Sequence, residues 1–203
     1  MYKSFSDLLK GKKEGVHFQR HWKDLDTSLI IIAPHAGGIE PGTGKLARAI
    51  AGNQFSYYLF EGVQETGNKE LHISSTRFDD PICLELTEKS DYAVVIHGCI
   101  GSSETIYVGG RNHHFKQMMI DELKNEGFPA SLDNTKHKGT FKSNLCNTCA
   151  TNKGLQFEIT ESFRSTLFRS LNRRGREQPT DRFYTLSTVI QNACNVYLKE
   201  VPD

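Results

Sequence analysis

The chain has 203 residues, 37% of them hydrophobic, and 25 basic against 24 acidic side chains give a formal net charge of +1. That length suits one domain with a packed core, and the near-neutral balance removes any overall case for a nucleic-acid or membrane-surface partner. No apolar run reaches the about 18 residues of a membrane-spanning helix, and five scattered cysteines do not make a disulfide scaffold.

The N-terminal "MYKSFSDLLKGKKEG" lacks the apolar segment of a signal peptide, so synthesis in the cytoplasm is expected. Residues 1–27 are polar, with one short helical candidate at 5–9, and read as a peripheral arm ahead of an α/β domain over 28–203. Residues 29–33 are an Ile-rich buried strand stopped by Pro34. A helix follows over 43–51, with Leu46, Ala47 and Ile50 on one side, then strands over 55–61 and 71–75. Pro81 opens a helix over 81–89. Residues 92–97, "YAVVIH", are another buried strand, and 105–108 a short one.

Phe115, Met119 and Leu123 recur at helical spacing and predict a helix over 113–125, which Gly127 stops. A strand at 128–132 precedes a polar, loop-like stretch over 133–152. Then come a strand at 155–159, a helix at 161–171, the basic loop "NRRGREQP" and a last helix over 180–199. Strands and helices alternate throughout. The pattern predicts a single α/β domain whose mixed, mostly parallel sheet is covered by helices on both faces.

In such sheets ligands sit beyond the carboxyl ends of the strands. His35 and Glu40, in "IIIAPHAGGIEPGTGK", lie just past one strand, and His97 ends another. Two histidines and a carboxylate match the three protein ligands of a catalytic zinc site. Gly37 and Gly38 would let the chain turn back so that His35 and Glu40 meet. Each residue alone is more often a hydrogen-bonded structural group, and spacing alone leaves both readings open. In "GLQFEIT", alternation places Gln156, Glu158 and Thr160 on one face. A carboxylate there lies at the rim, pairs with a cation, or serves as a general base.

"PHAGGIE", "LHISSTRFDDP", "VIHG", "VGGRN" and "CATNKGLQFEI", in this order, resemble the phage-type poly-γ-glutamate hydrolase family, also found in Bacillus chromosomes and prophages. The resemblance spans about residues 28–165 and implies a zinc carboxypeptidase-like fold. It implies one zinc ion per chain held by His35, Glu40 and His97, with Glu158 as the catalytic carboxylate. The implied reaction is cleavage of γ-glutamyl amide bonds in poly-γ-glutamate, a capsule polymer. The enzyme would then act outside the cell, after lysis or export. That polymer carries a carboxylate on every residue, so arginine and lysine anchors are expected. Arg111 and Lys153 are the first choices. Arg77, where the family pattern has a His, and His72 complete the expected substrate-binding set; Arg164 flanks the Glu158 strand.

The alternatives are a zinc amidase acting on γ-glutamyl linkages of peptidoglycan peptides and a non-catalytic capsule-binding protein. A monomer is favoured. Cys146 and Cys149 form a C-x-x-C without a second ligand pair, so they read as structural, with a disulfide open. The loop "NRRGRE" reads as solvated, though able to help attract a polyanion.

Overall fold

The computed structural model describes residues 2–134 and 138–201. Its sheet has seven strands: β1 (Phe18–Lys23), β2 (Leu29–Gly37), β3 (Ser56–Gly62), β4 (Tyr92–Cys99), β5 (Ile106–Gly110), β6 (Ala130–Leu132) and β7 (Leu155–Thr160), in the spatial order β1-β3-β2-β4-β7-β5-β6. The pairs β2–β3, β2–β4, β4–β7 and β5–β6 are parallel, whereas β1–β3 and β5–β7 are antiparallel. The helices are α1 (Phe5–Leu8), α2 (Thr43–Ala51), α3 (Pro81–Lys89), α4 (His113–Asn125), α5 (Glu161–Thr166) and α6 (Asp181–Glu200). Among the described residues no helix is long and apolar enough to cross a membrane.

The period of two along the central strands sorts the core into two halves. Leu29, Ile31, Val94, Ile96, Leu155 and Phe157 point to the side covered by α2, α4, α5 and α6. Ile30, Ile32, Ala93 and Val95 point to the other side, where α1, α3 and the 139–149 segment pack. Strands buried on both faces read as continuous apolar runs, which is why "LIII" and "YAVVI" stood out. Asn112 caps α4 by accepting from Phe115 N at 3.0 Å, and Asp80 caps α3 by accepting from Ile82 N at 2.9 Å.

Three expectations need correction. Residues 2–27 are not a peripheral arm: Phe5, Leu8 and Phe18 are buried, and Phe5 meets Phe18 and Phe60 edge-on. Burial of three large apolar groups, worth about 1.5–3 kcal/mol each, holds the segment to the domain. Arg20 fastens it further, pairing with Glu14 at 2.6 Å and with buried Asp80 at 3.1 Å. Residues 71–75 are not a strand but the end of a 3-10 turn (Asn68–Leu71) and an extended loop. The strand expected over 29–33, β2, does not stop at Pro34; it continues to Gly37 through an irregularity between Ala33 and Ala36. Pro34 donates no ladder hydrogen bond, and a bulge is one of the few places where a sheet tolerates that.

Candidate metal centre

β2 leads through α2 to β3 on one side; the chain then returns through α3 to β4 on the other. α2 and α3 pack on opposite faces. The gap between the carboxyl ends of β2 and β4 is therefore the topological switch point, where open α/β sheets place their ligands. The β2–β4 pairing ends at Ile32 and Val95, so the residues beyond diverge. The bulge at Pro34–His35 turns His35 into that gap. Gly37 then reverses the chain at φ +69, and a Cβ there would stand 2.4 Å from Gly62 O. Glu40 N donates to His35 O at 2.8 Å, closing the turn.

The side chains converge. His35 Nδ1 lies 3.0 Å from Glu40 Oε1 and 3.1 Å from His97 Nδ1. His97 Nδ1 is 3.8 Å from Glu40 Oε2. Supporting groups fix each ring: His35 Nε2 donates to Ile73 O at 2.7 Å, and His97 Nε2 meets Ser75 Oγ at 3.0 Å. Gly98 N donates to Glu40 Oε2 at 2.7 Å. His72 stacks on His35 with ring centroids 3.9 Å apart, and its Nε2 is 3.6 Å from Glu40 Oε1.

Burial alone would push the Glu40 carboxyl up, but its attraction to His35 and then His97 holds it well below the usual carboxylate range. Burial likewise opposes charge on His35, and Glu40 reverses this, raising its pKa. His72 is pushed down to about 4 by burial and then by His35.

Glu158 is the register partner of His97 on β7 and lines the same cleft of roughly 670 Å³. Its carboxyl is pushed up to about 8 by burial, with Glu40 and Asp133 adding to the shift and Arg164 opposing it. Cys99 also lines the cleft. Burial and then Glu158 push its thiol up to about 11, so it stays protonated at neutral pH and is a poor nucleophile.

The donor set suits zinc. Tetrahedral ligands at 2.0–2.1 Å from the ion stand about 3.3 Å from one another, and the three separations of 3.0, 3.1 and 3.8 Å bracket that figure. His72 offers a second set: His35, Glu40 and His72 present ligand atoms within 4.8 Å of one another. His72 Nδ1 is buried with no hydrogen-bond partner among the described residues.

Of the expected residues, His35, Glu40, His97, Glu158 and His72 come together. Arg111 and Lys153 do not. β5 runs antiparallel to β7 and Gly110 pairs with Leu155, so both residues sit at the amino end of β7, away from Glu158. Arg77 is exposed and is not among the cleft-lining residues, although its neighbour Thr76 is. Cys146 and Cys149 are buried free thiols, whose Sγ atoms donate to Gly139 O and Cys146 O.

Two residues escaped the sequence reading, and a third was named there as a flanking basic residue without its present role. Ser75 supports His97. Tyr107 pairs with Glu158 across β5 and β7 and lines the cleft. Arg164, noted only as a flank of β7, is 4% exposed. Its guanidinium donates to Ile159 O at 3.1 Å, Pro41 O at 2.6 Å and Cys99 O at 3.3 Å. Those carbonyls belong to the three strand-end segments that carry Glu158, Glu40 and His97.

Comparison with known proteins agrees in sequence and in shape. Residues 2–189 match the family described as Poly-gamma-glutamate hydrolase. The SPbeta prophage-derived UPF0714 protein YoqZ of Bacillus subtilis (strain 168) is 34% identical over 197 residues, covering 96% of this chain and 71% of that protein. The structure described as "Structure of Bacteriophage poly-gamma-glutamate hydrolase" superposes with a TM-score of 0.95 at 30% identity, covering 98% of both chains. That described as "YNDL-apo (Zinc-free)" superposes with a TM-score of 0.91 at 31% identity, covering 96% of both. The chain belongs to the poly-gamma-glutamate hydrolase family.

Proposed function

We propose that the protein is a zinc-dependent hydrolase that cleaves γ-glutamyl amide bonds within poly-γ-glutamate. The observation that carries this reading is the meeting of His35 Nδ1, His97 Nδ1 and the Glu40 carboxylate in one cleft with Glu158. His35, Glu40 and His97 would hold the ion. His97 is preferred to His72 because its Nδ1 lies 3.1 Å from His35 Nδ1 and its far nitrogen already has a partner, as ligand histidines generally do. Bound there, zinc would supply a Lewis acid for the scissile carbonyl and lower the pKa of water to about 7.

The remaining chemistry belongs to this chain's own residues. Glu158 takes a proton from the attacking water and delivers it to the departing amine nitrogen. Burial raises its pKa to about 8, and a bound cation would lower it toward neutrality, where a carboxyl can both take and give a proton. The bond from Gly98 N keeps Glu40 turned toward the histidines, and His72 forms the wall of the cleft beside His35. The polymer lies outside the cell, so the enzyme would reach it after lysis or export.

The test is to incubate the purified protein with poly-γ-glutamate and follow chain length by gel filtration. Chain length should fall, stop falling after a chelator, and resume falling when zinc is restored. An intact polymer, with cleavage of a γ-glutamyl muropeptide instead, would move the activity to peptidoglycan.

A further inference from the structure

The cleft holds a gap in its recognition chemistry. Among the described residues that line it there is no lysine or arginine, and the nearby Arg164 guanidinium is occupied by backbone carbonyls. Among the described residues, cations for a substrate bearing a carboxylate on every residue lie outside this lining.

Two hollows adjoin the turn that carries Glu40. One is bordered by Gly38 and Pro41, the other by Gly37 and Gly42, and Arg173 and Arg176 line both. Lys69 joins them in the first, Lys45 and Arg48 in the second. Five basic side chains thus face three glutamates, on a protein whose net charge is only +1.

Neither arginine makes an ion pair among the described residues, and Glu177 pairs instead with Lys45 at 2.8 Å. Among the described residues, arginine ion pairs involve only Arg20 and Arg182. Burial and then the charge of Arg173 lower the pKa of Arg176, with Glu177 and Glu61 pulling the other way. The repulsion between the two like charges is only partly offset by these glutamates, and a further negative group would relieve it.

The loop that presents them is also closed. Arg169 N donates to Gln178 O at 2.9 Å, Phe168 bridges to Pro179, and Gly175 N donates to Asn172 Oδ1 at 2.7 Å. Arg173 Nη2 donates to Val63 O at 2.8 Å and Gln64 O at 3.2 Å, and Arg176 Nη1 to Leu171 O. Among the described residues each guanidinium donates only through that one nitrogen, which leaves further N–H groups for a carboxylate.

We propose that Arg173 and Arg176 form a distal anchoring subsite for a polycarboxylate chain, which leaves the cleft over the Gly38–Pro41 turn and lays its carboxylates on the two guanidinia. The proposal rests on the polymer-cleaving reading above. It adds that the enzyme grips its substrate several residues away from the bond it cuts.

The experiment compares wild type with the double variant R173Q/R176Q, on poly-γ-glutamate and on a short chromogenic γ-glutamyl anilide. KM for the polymer should rise about tenfold with kcat unchanged, the loss of two guanidinium–carboxylate contacts. The anilide, too short to reach the loop, should be unaffected. R173K/R176K, which keeps the charge but loses the planar forks, should recover only part of the polymer KM, within about threefold to tenfold of wild type. K69Q, in the same hollow and outside the arginine loop, should raise polymer KM in the same direction and serves if the double variant unfolds.

Anisotropy of labelled polymer on chelator-treated protein gives a readout independent of catalysis. Affinity should fall in the double variant, and its salt dependence should flatten. Unchanged polymer KM and affinity would overturn the subsite, as would equal losses on the anilide. Displacement of the polymer by DNA at equal charge concentration would also overturn it, by showing generic polyanion binding. If wild type does not cut the polymer at all, the proposed function fails, and anisotropy alone still decides the subsite.

Discussion

Nδ1 of His97 stands 3.1 Å from Nδ1 of His35, and the far nitrogen of each ring is already engaged by Ser75 Oγ or Ile73 O. A backbone carbonyl only accepts, so His35 carries a proton on Nε2 and, as a neutral ring, presents a lone pair at Nδ1. Glu40 Oε1 brings negative charge to the same point from 3.0 Å. Electron-rich atoms this close require a proton or a cation among them. His35→Ala or His97→Ala should therefore weaken zinc binding by roughly 100- to 1,000-fold, the share of one ligand in three. Ser75→Ala, which frees only the far nitrogen of His97, should cost about tenfold. Titration against a competing zinc chelator measures both. Equal affinity in His97→Ala but loss in His72→Ala would transfer the third ligand position to His72.

Glu158 makes a separable prediction, because no metal-ligand role is assigned to it. Glu158→Gln should lower kcat on the polymer by about 100- to 10,000-fold, the usual contribution of a general base. The variant's zinc content should match wild type. A variant cutting at near the wild-type rate would remove Glu158 from the reaction.

The same carboxyl predicts a pH dependence of stability in chelator-treated protein. Its folded pKa of about 8 lies above the ordinary 4.5. Between those values the folded chain holds a proton that the unfolded chain has released, so stability falls as pH rises through that window. The cost vanishes below about 4.5 and is complete above about 8. It should reach on the order of 3–5 kcal/mol at the alkaline end. Glu158→Gln removes it. The variant should melt close to wild type at pH 5 and clearly above it at pH 8.5, by calorimetry. A melting difference that does not grow with pH would show Glu158 to be better solvated than its burial implies.

The N-terminal segment supplies a test of packing. Phe5 touches Phe18, Phe60 and Phe78, so Phe5→Ala should destabilise the whole domain by about 3–5 kcal/mol. Urea unfolding should show one transition shifted as a unit. A separate early transition with the main one unmoved would mark residues 2–27 as an independent appendage after all.

Several elements were readable from sequence for identifiable reasons. α2 and α4 follow apolar stripes, the second stopped by Gly127, and Pro81 marks the first turn of α3. His35, Glu40, His97 and Glu158 were legible because short buried strands deliver their end residues to one rim. β1, "FQRHWK", was not, because an edge strand with one buried residue in six carries little apolar alternation. Arg111 and Lys153 were misplaced because composition does not reveal strand direction; β5 runs against β7 and turns its end to the far rim. Ser75 and Tyr107 reach the cleft through tertiary register alone.

Arg164 shows how far such long-range placement matters. A single guanidinium spans carbonyls of Pro41, Cys99 and Ile159, and a Cβ on Gly98 would stand 2.7 Å from its Cζ. Arg164→Met fills similar volume but leaves three carbonyls without their donor. It should cost about 3 kcal/mol or more in stability, since bonds to a charged donor contribute about 1.5–3 kcal/mol each. Because the same bonds align the segments bearing Glu40, His97 and Glu158, zinc affinity should fall by about tenfold in the folded fraction. Arg164→Lys keeps the charge but is a compact ammonium without the planar fork that reaches all three carbonyls. It should recover part of the stability and little of the affinity. Full recovery of zinc binding by lysine would show that Arg164 acts through its charge on Glu40 rather than by aligning the three loops.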